Sequence, residues 1–229
     1  MPIGHFIFAH GLNLIPTKLT PLVEFIHELG GETTLMTLAG HKSPSDITHL
    51  DKLTLENIED DFIKNYMTHF KDSTFIGQSF GCLIYAKLVA EKRIPEAKKN
   101  IFLAPAFEIH KILKLSLVLP KNLWIKSRNF VGYRFHDKLP VKLYLEINRA
   151  YLGFAKDEIM ELKNPSLILI DPKDELVPYK KLLRKIERNS KIKLVSLETL
   201  RPHHLIIDEN TCGDKWPVLQ KTLKDFIHE

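Results

Sequence analysis

The chain has 229 residues, 44% of them apolar, and 33 Lys and Arg against 28 Asp and Glu give it a net charge of +5. That length and composition suit one soluble domain with a substantial core, and no run reaches the ~20 apolar residues of a membrane-spanning helix. Two cysteines, Cys82 and Cys212, give no disulfide framework and fit a reducing compartment; the N-terminus has no basic n-region, so the expected location is cytoplasmic.

The basic excess is spread along the chain, with some concentration at 111–142 and 180–193. Charge of this sign attracts nucleic acid and anionic membranes. No glycine-rich phosphate loop, zinc spacing or aromatic–basic RNA motif accompanies it. The expectation is therefore a solvated basic surface, with no nucleic-acid partner, no stable membrane insertion, no cofactor and no metal.

Ile3 to Ala9 reads as a first buried strand and runs into His10-Gly11-Leu12-Asn13. A His-Gly at a strand end lets the following N–H groups face outward, which is half of an oxyanion hole. Pro16 to Gly31 has apolar residues at helical spacing and ends on two glycines. Thr33 to Leu38 is a second strand. Leu53 to Phe70 is a second long helix with Thr54 as its cap.

Phe75 and Ile76 then close a short apolar run, and Cys82 to Leu88 reads as helix. Between them lies Gly77-Gln78-Ser79-Phe80-Gly81. A strand that turns into a helix over five residues must bend sharply. Glycines at both ends let the backbones pass, and the serine at the apex is held strained with its hydroxyl exposed at the strand end. The helix N-terminus behind it presents free N–H groups to developing negative charge.

Asn100 to Ala104 is a fourth strand. The alternation of strand and helix to this point demands a mostly parallel sheet covered on both faces, with its site beyond the carboxyl ends of the strands. The rhythm breaks over 106–162, which carries apolar residues at helical spacing interrupted by Pro120 and Pro140. It reads as an inserted helical lid over the site within a single domain spanning 1–229. Pro165 to Ile170 resumes the strands and ends at Asp171-Pro172-Lys173-Asp174. Tyr179 to Arg188 is helix, Lys191 to Leu197 the sixth strand, and Trp216 to His228 the closing amphipathic helix.

Ser79, Asp174 and either His203 or His204 thus stand at strand ends in the order nucleophile, acid, histidine. A serine hydroxyl is a weak nucleophile at neutral pH and needs a base that is itself oriented by an acid. Here the sequence resembles the α/β-hydrolase family, in particular its small carboxylesterases, lipases and thioesterases. The resemblance rests on Gly77-Gln-Ser-Phe-Gly81, on Phe6 to Asn13 as the oxyanion strand and loop, on Asp174-Glu-Leu-Val-Pro178, and on His203-His-Leu-Ile-Ile-Asp208. It implies that Ser79 attacks, a histidine acts as base and then acid, Asp174 orients it, and the N–H groups of Leu12 and Phe80 hold the oxyanion. The family spacing of five residues to a following acid selects His203 over His204. Asp174, beside Leu176-Val-Pro178, is preferred to Asp171. The family's two strands before the oxyanion strand have no counterpart, so a minimal sheet of about six strands is expected.

The function implied is a serine hydrolase acting on a small-molecule carboxylic ester with an apolar acyl group. A thioesterase, an acyltransferase and a non-catalytic binding protein of this fold are the alternatives.

Overall fold

The computed structural model describes residues 3–42, 50–67, 72–127, 129–154, 158–199 and 204–229. Its strands are β1 (His5–Ala9), β2 (Glu32–Met36), β3 (Ser73–Gln78), β4 (Lys99–Leu103), β5 (Trp124–Lys126), β6 (Lys138–Pro140), β7 (Ser166–Ile170) and β8 (Ile192–Ser196). The helices are α1 (Thr20–Glu28), α2 (Leu55–Tyr66), α3 (Phe80–Ala90), α4 (Lys111–Lys114), α5 (Val141–Phe154), α6 (Tyr179–Ile186), α7 (Glu209–Cys212) and α8 (Trp216–His228).

Six strands form one parallel sheet in the order β2-β1-β3-β4-β7-β8. Parallel strands bury both faces, and the four inner ones are almost wholly buried, with apolar centres and polar residues mainly at their ends. The two outer ones, β2 and β8, carry polar residues and are only half buried, as edges should be. After β2 the chain crosses back over β1 to lay down β3. This reversal opens a crevice at the carboxyl ends of β1 and β3, and it sets the His10–Asn13 loop beside the Ser79 turn.

α3 is buried all round from Phe80 to Val89 and is apolar there except for Lys87, which pairs with Glu59 and Glu91. Tyr85 stacks on Phe75 of β3 at 3.8 Å between centroids. Its hydroxyl donates to Asn100 Oδ1 at 2.7 Å and accepts the Ala97 N–H at 2.8 Å. Asn100 spends its amide on Glu96 and Ser166, so a closed polar knot ties α3, β4 and β7 at the end of the sheet away from the serine. Thr54 caps α2 as expected, in a reciprocal pair with Asn57.

The 106–162 insert differs from the helical expectation. It holds α4, a 3-10 turn (Leu115–Val118), an antiparallel ribbon of β5 and β6, α5, and a second 3-10 turn (Glu158–Glu161). Three-residue strands are too short to show a period of two in sequence, and Pro140 sits where a two-stranded ribbon has no further ladder to feed. α5 is anchored in the domain. It packs on α3 and α2, and its buried Glu146 accepts the Leu55 N–H at 2.9 Å, which caps α2 from outside. Among the described residues no helix is long and apolar enough to cross a membrane.

Replacing Tyr85 by Phe strands the Asn100 carbonyl and the Ala97 N–H in the core, so the expected loss is about 1–3 kcal/mol. Urea unfolding of the two proteins measures it, and a midpoint equal to wild type would contradict the account.

Candidate active site

Ser79 stands between β3 and α3 with φ 50° and ψ −113°, a conformation that costs a non-glycine residue about 1–3 kcal/mol and persists only where its surroundings enforce it. The enforcement is visible. The Ser79 N–H donates to Leu103 O at 3.0 Å, and the Ser79 carbonyl accepts from Cys82 and Ala106 at 3.1 and 3.2 Å. A Cβ on Gly81 would lie 2.7 Å from His10 O and 2.8 Å from Ala9 O, so only glycine lets α3 start beneath the end of β1. A Cβ on Gly11 would meet Gln78 Oε1 at 1.9 Å and Ser79 Cβ at 3.0 Å. The β1 loop therefore passes in contact with the serine.

That loop is held from behind. Asn13 is buried in the left-handed region, at φ 55°. Its N–H donates to His41 Nε2 at 2.8 Å, which fixes the His41 tautomer with the proton on Nδ1, facing Ala39 O at 3.2 Å. Its amide donates to Ser127 Oγ and His136 O, and its Oδ1 accepts the His136 N–H, all within 2.8 Å. Asn129 reaches back to the carbonyls of Leu12 and Asn13 at 3.1 and 3.0 Å. Beside it His10 donates from Nδ1 to Gly11 O and accepts the Leu38 N–H at Nε2. Burial drives the His10 imidazole down to about 4 and His41 well below its usual range, so both rings stay neutral as this pattern requires.

Asp174 and Asp171 have separate duties. Asp171 Oδ1 accepts from Lys173 N, and its Oδ2 takes both the N–H and the hydroxyl of Thr199, which makes it a turn fastener. Asp174 Oδ1 accepts the N–H groups of Leu176 and Val177, leaving Oδ2 for His204 Nδ1 at 2.9 Å. His204 is buried, and among the described residues its Nε2 has no hydrogen-bond partner. Burial alone lowers the His204 imidazole, but the charge and hydrogen bond of Asp174 outweigh it and the net shift is upward. Burial likewise raises the Asp174 carboxyl, and His204 with the two N–H groups brings it below its ordinary value.

Ser79, Phe80, Leu12 and His204 all line one cavity of about 380 Å³, whose wall is mostly apolar and drawn in large part from the insert: Ile109, Leu113, Ile125, Leu139 and Ile147. Leu176 and Val177, next to Asp174, close it on the far side. Of the residues expected from sequence, Ser79, Leu12 and Phe80 therefore come together. The place beside Asp174 is held by His204, whereas the expected His203 lies outside the described residues. Asp208, to which the five-residue spacing is counted, has other work. It caps α7 through Thr211 and accepts the Tyr133 hydroxyl at 2.7 Å. The hydrogen-bond partners of Asn13, His41 and Asn129 cannot be read from sequence, since only the fold brings them near. Among the described residues no three or more His, Cys, Asp or Glu are grouped to hold a metal ion.

No family model and no curated protein matches this sequence. Solved structures do match its shape. One of the metagenome-derived lipolytic enzymes LipS and LipT superposes with a TM-score of 0.76 at 15% identity, over 99% of this chain and 94% of that one. A monoacylglycerol lipase from Paleococcus ferrophilus gives 0.70 at 17% identity, over 99% and 95%. Est1E from Butyrivibrio proteoclasticus, bound to ferulic acid, gives 0.68 at 20% identity, over 99% and 88%. The chain has the α/β-hydrolase fold.

Two outcomes follow. Asn13→Ala deletes the knot and leaves the His136 N–H buried without an acceptor; a loss of about 2–4 kcal/mol is expected in urea unfolding. The lowered Asp174 pKa stabilises the fold above 3.8 and its contribution fades as pH falls through the folded value. The raised His204 pKa stabilises below 6.5 and its contribution fades as pH rises through the folded value. Asp174→Asn is therefore most destabilising between pH 3.8 and 6.5, and a melting-temperature difference that stays flat from acid to alkaline pH would contradict it.

Proposed function

We propose that the protein is a serine hydrolase that cleaves carboxylic esters through an acyl-enzyme intermediate. The observation that carries the proposal is the pairing at one cavity of a serine in a strained strand-to-helix turn with a buried histidine whose Nδ1 is engaged by Asp174 and whose Nε2 is unpartnered. In this reading Ser79 Oγ attacks the ester carbonyl and gives its proton to His204 Nε2. The imidazolium, steadied by Asp174, passes that proton to the departing alkoxide. Water then repeats the sequence on the acyl-enzyme and frees the acid. The N–H groups of Leu12 and Phe80 receive the oxyanion, one from the loop after β1 and one from the first turn of α3.

The apolar cavity favours an apolar acyl group, and the insert serves as the lid that walls it. Lipolytic enzymes and esterases among the structural neighbours agree with this chemistry. Both cysteines are free and buried, which suits a reducing cytoplasmic setting.

A fluorophosphonate probe should label the wild type and fail on Ser79→Ala. Asp174→Asn should lower kcat by about 10⁴-fold on a p-nitrophenyl ester, because the histidine loses its orienting anion. His204→Ala should be inert while His203→Ala keeps most of its turnover; the reverse result would move the base to His203. Because the base must be neutral, kcat/KM should fall as pH drops through an apparent value above 6.5, and in Asp174→Asn that limb should shift to lower pH.

A further inference from the structure

The charge of this chain is not evenly placed. Residues 109–142 hold eight Lys and Arg against the single acid Asp137, while the whole chain holds 33 against 28. The remainder therefore carries 25 basic and 27 acidic residues, so this one stretch of the insert outweighs the net charge of the whole chain. Asp137 is already spent on Arg134 at 2.6 Å. Lys111, Lys121, Lys126 and Lys138 are all exposed. Lys126 and Lys138 stand directly opposite each other across the β5–β6 ribbon, an arrangement that costs stability unless an anion lies against it.

The same segment holds the exposed apolar residues. Among the described residues, seven of the eleven large apolar side chains that face solvent fall between 117 and 131. Val118 and Val131 are 80% and 79% exposed, and Leu117, Leu123, Trp124 and Phe130 accompany them. Alternation along the ribbon sends Ile125 and Leu139 inward and Trp124 and Lys138 to the outer face, while Lys126 is exposed and also borders the cavity. Ile125 and Leu139 line the cavity, so the ribbon is one layer thick between the cavity and this basic, apolar surface.

We infer that the insert is a docking face for an anionic lipid surface, on which the protein rests peripherally. Exposed Trp, Phe, Val and Leu interleaved with lysines match a bilayer interface, where apolar tips enter the acyl boundary and ammonium groups meet lipid phosphates. A second copy of the chain would bring like charges together, and a nucleic acid would leave the apolar tips without a partner. The docking claim stands on charge and exposure; only its purpose, placing the cavity beside the lipid, rests on the hydrolase reading.

The full-length protein is sedimented with vesicles of phosphatidylcholine mixed with phosphatidylglycerol, and with phosphatidylcholine alone, at low and high salt. Trp216→Phe leaves Trp124 as the sole tryptophan and reporter. Sedimentation with anionic vesicles only, a blue shift of Trp124, and release by salt are expected. Lys121→Gln with Lys138→Gln should weaken partitioning roughly 30-fold, each lysine counting for about fivefold. Val118→Asp with Val131→Asp should weaken it as well. These positions are exposed and off the cavity, so folding, judged by melting temperature, should be unchanged. Equal binding to neutral vesicles, no binding at low salt, or binding indifferent to both pairs would overturn the inference. Turnover of a soluble p-nitrophenyl ester is followed separately, so docking without turnover would count against the hydrolase alone.

Discussion

The close approach of α3 to the end of β1 is the constraint on which the rest depends. Where Gly81 sits there is no room for a methyl group between the helix and the carbonyls of Ala9 and His10. That contact fixes the first turn of α3 under the β1 loop, forces Ser79 into the left-handed region, and brings Gly11 against the serine side chain. The strain is local and small beside the burial of β3 and α3, which are buried almost throughout and stacked through Phe75 and Tyr85. A stiff, buried sandwich can hold a residue in a conformation that a loop would relax.

The second dependence runs through Asn13. The Asn13 amide ties the β1 loop to the insert and Asn129 reaches back from the insert to the same loop, while His41 holds Asn13 from the β2 side. Neutral histidines suit this work because each offers one donor and one acceptor, and deep burial keeps them from taking up a proton near pH 7. The insert therefore does two things at once. It walls the cavity with apolar side chains, and it fixes the backbone from which Leu12 faces that cavity.

What could be read from sequence was what is local. Gly77-Gln-Ser79-Phe-Gly81 is legible because five adjacent residues dictate the turn, and Asp174 because Leu176 and Val177 follow it and supply its backbone donors. The mostly parallel sheet was legible because strands and helices alternate along the chain, whereas the order of the strands is set by the fold. The choice between adjacent histidines was not legible. Counting to Asp208 assumed that this acid answers to the histidine, whereas its place is set by α7 and by Tyr133. The β5–β6 ribbon was hidden by its brevity. The role of Asn13 was hidden by distance, since Ser127 and His136 lie 114 and 123 positions away along the chain.

That same separation governs the order in which the molecule can be completed. During synthesis β1 emerges before the other strands and Asn13 can meet His41 soon after, but the Asn13 side chain lacks its partners until Ser127 and His136 have been made, and the part of the cavity wall that His204 supplies waits further. The β1–β3–β4 part of the sheet can assemble before then, because these strands pair over shorter intervals. A nascent chain thus passes through a stage with a formed core and an unfinished mouth. Its two halves of the site meet only once His204 has been made, so a fragment released before then keeps the scaffold and lacks the histidine side of the cavity.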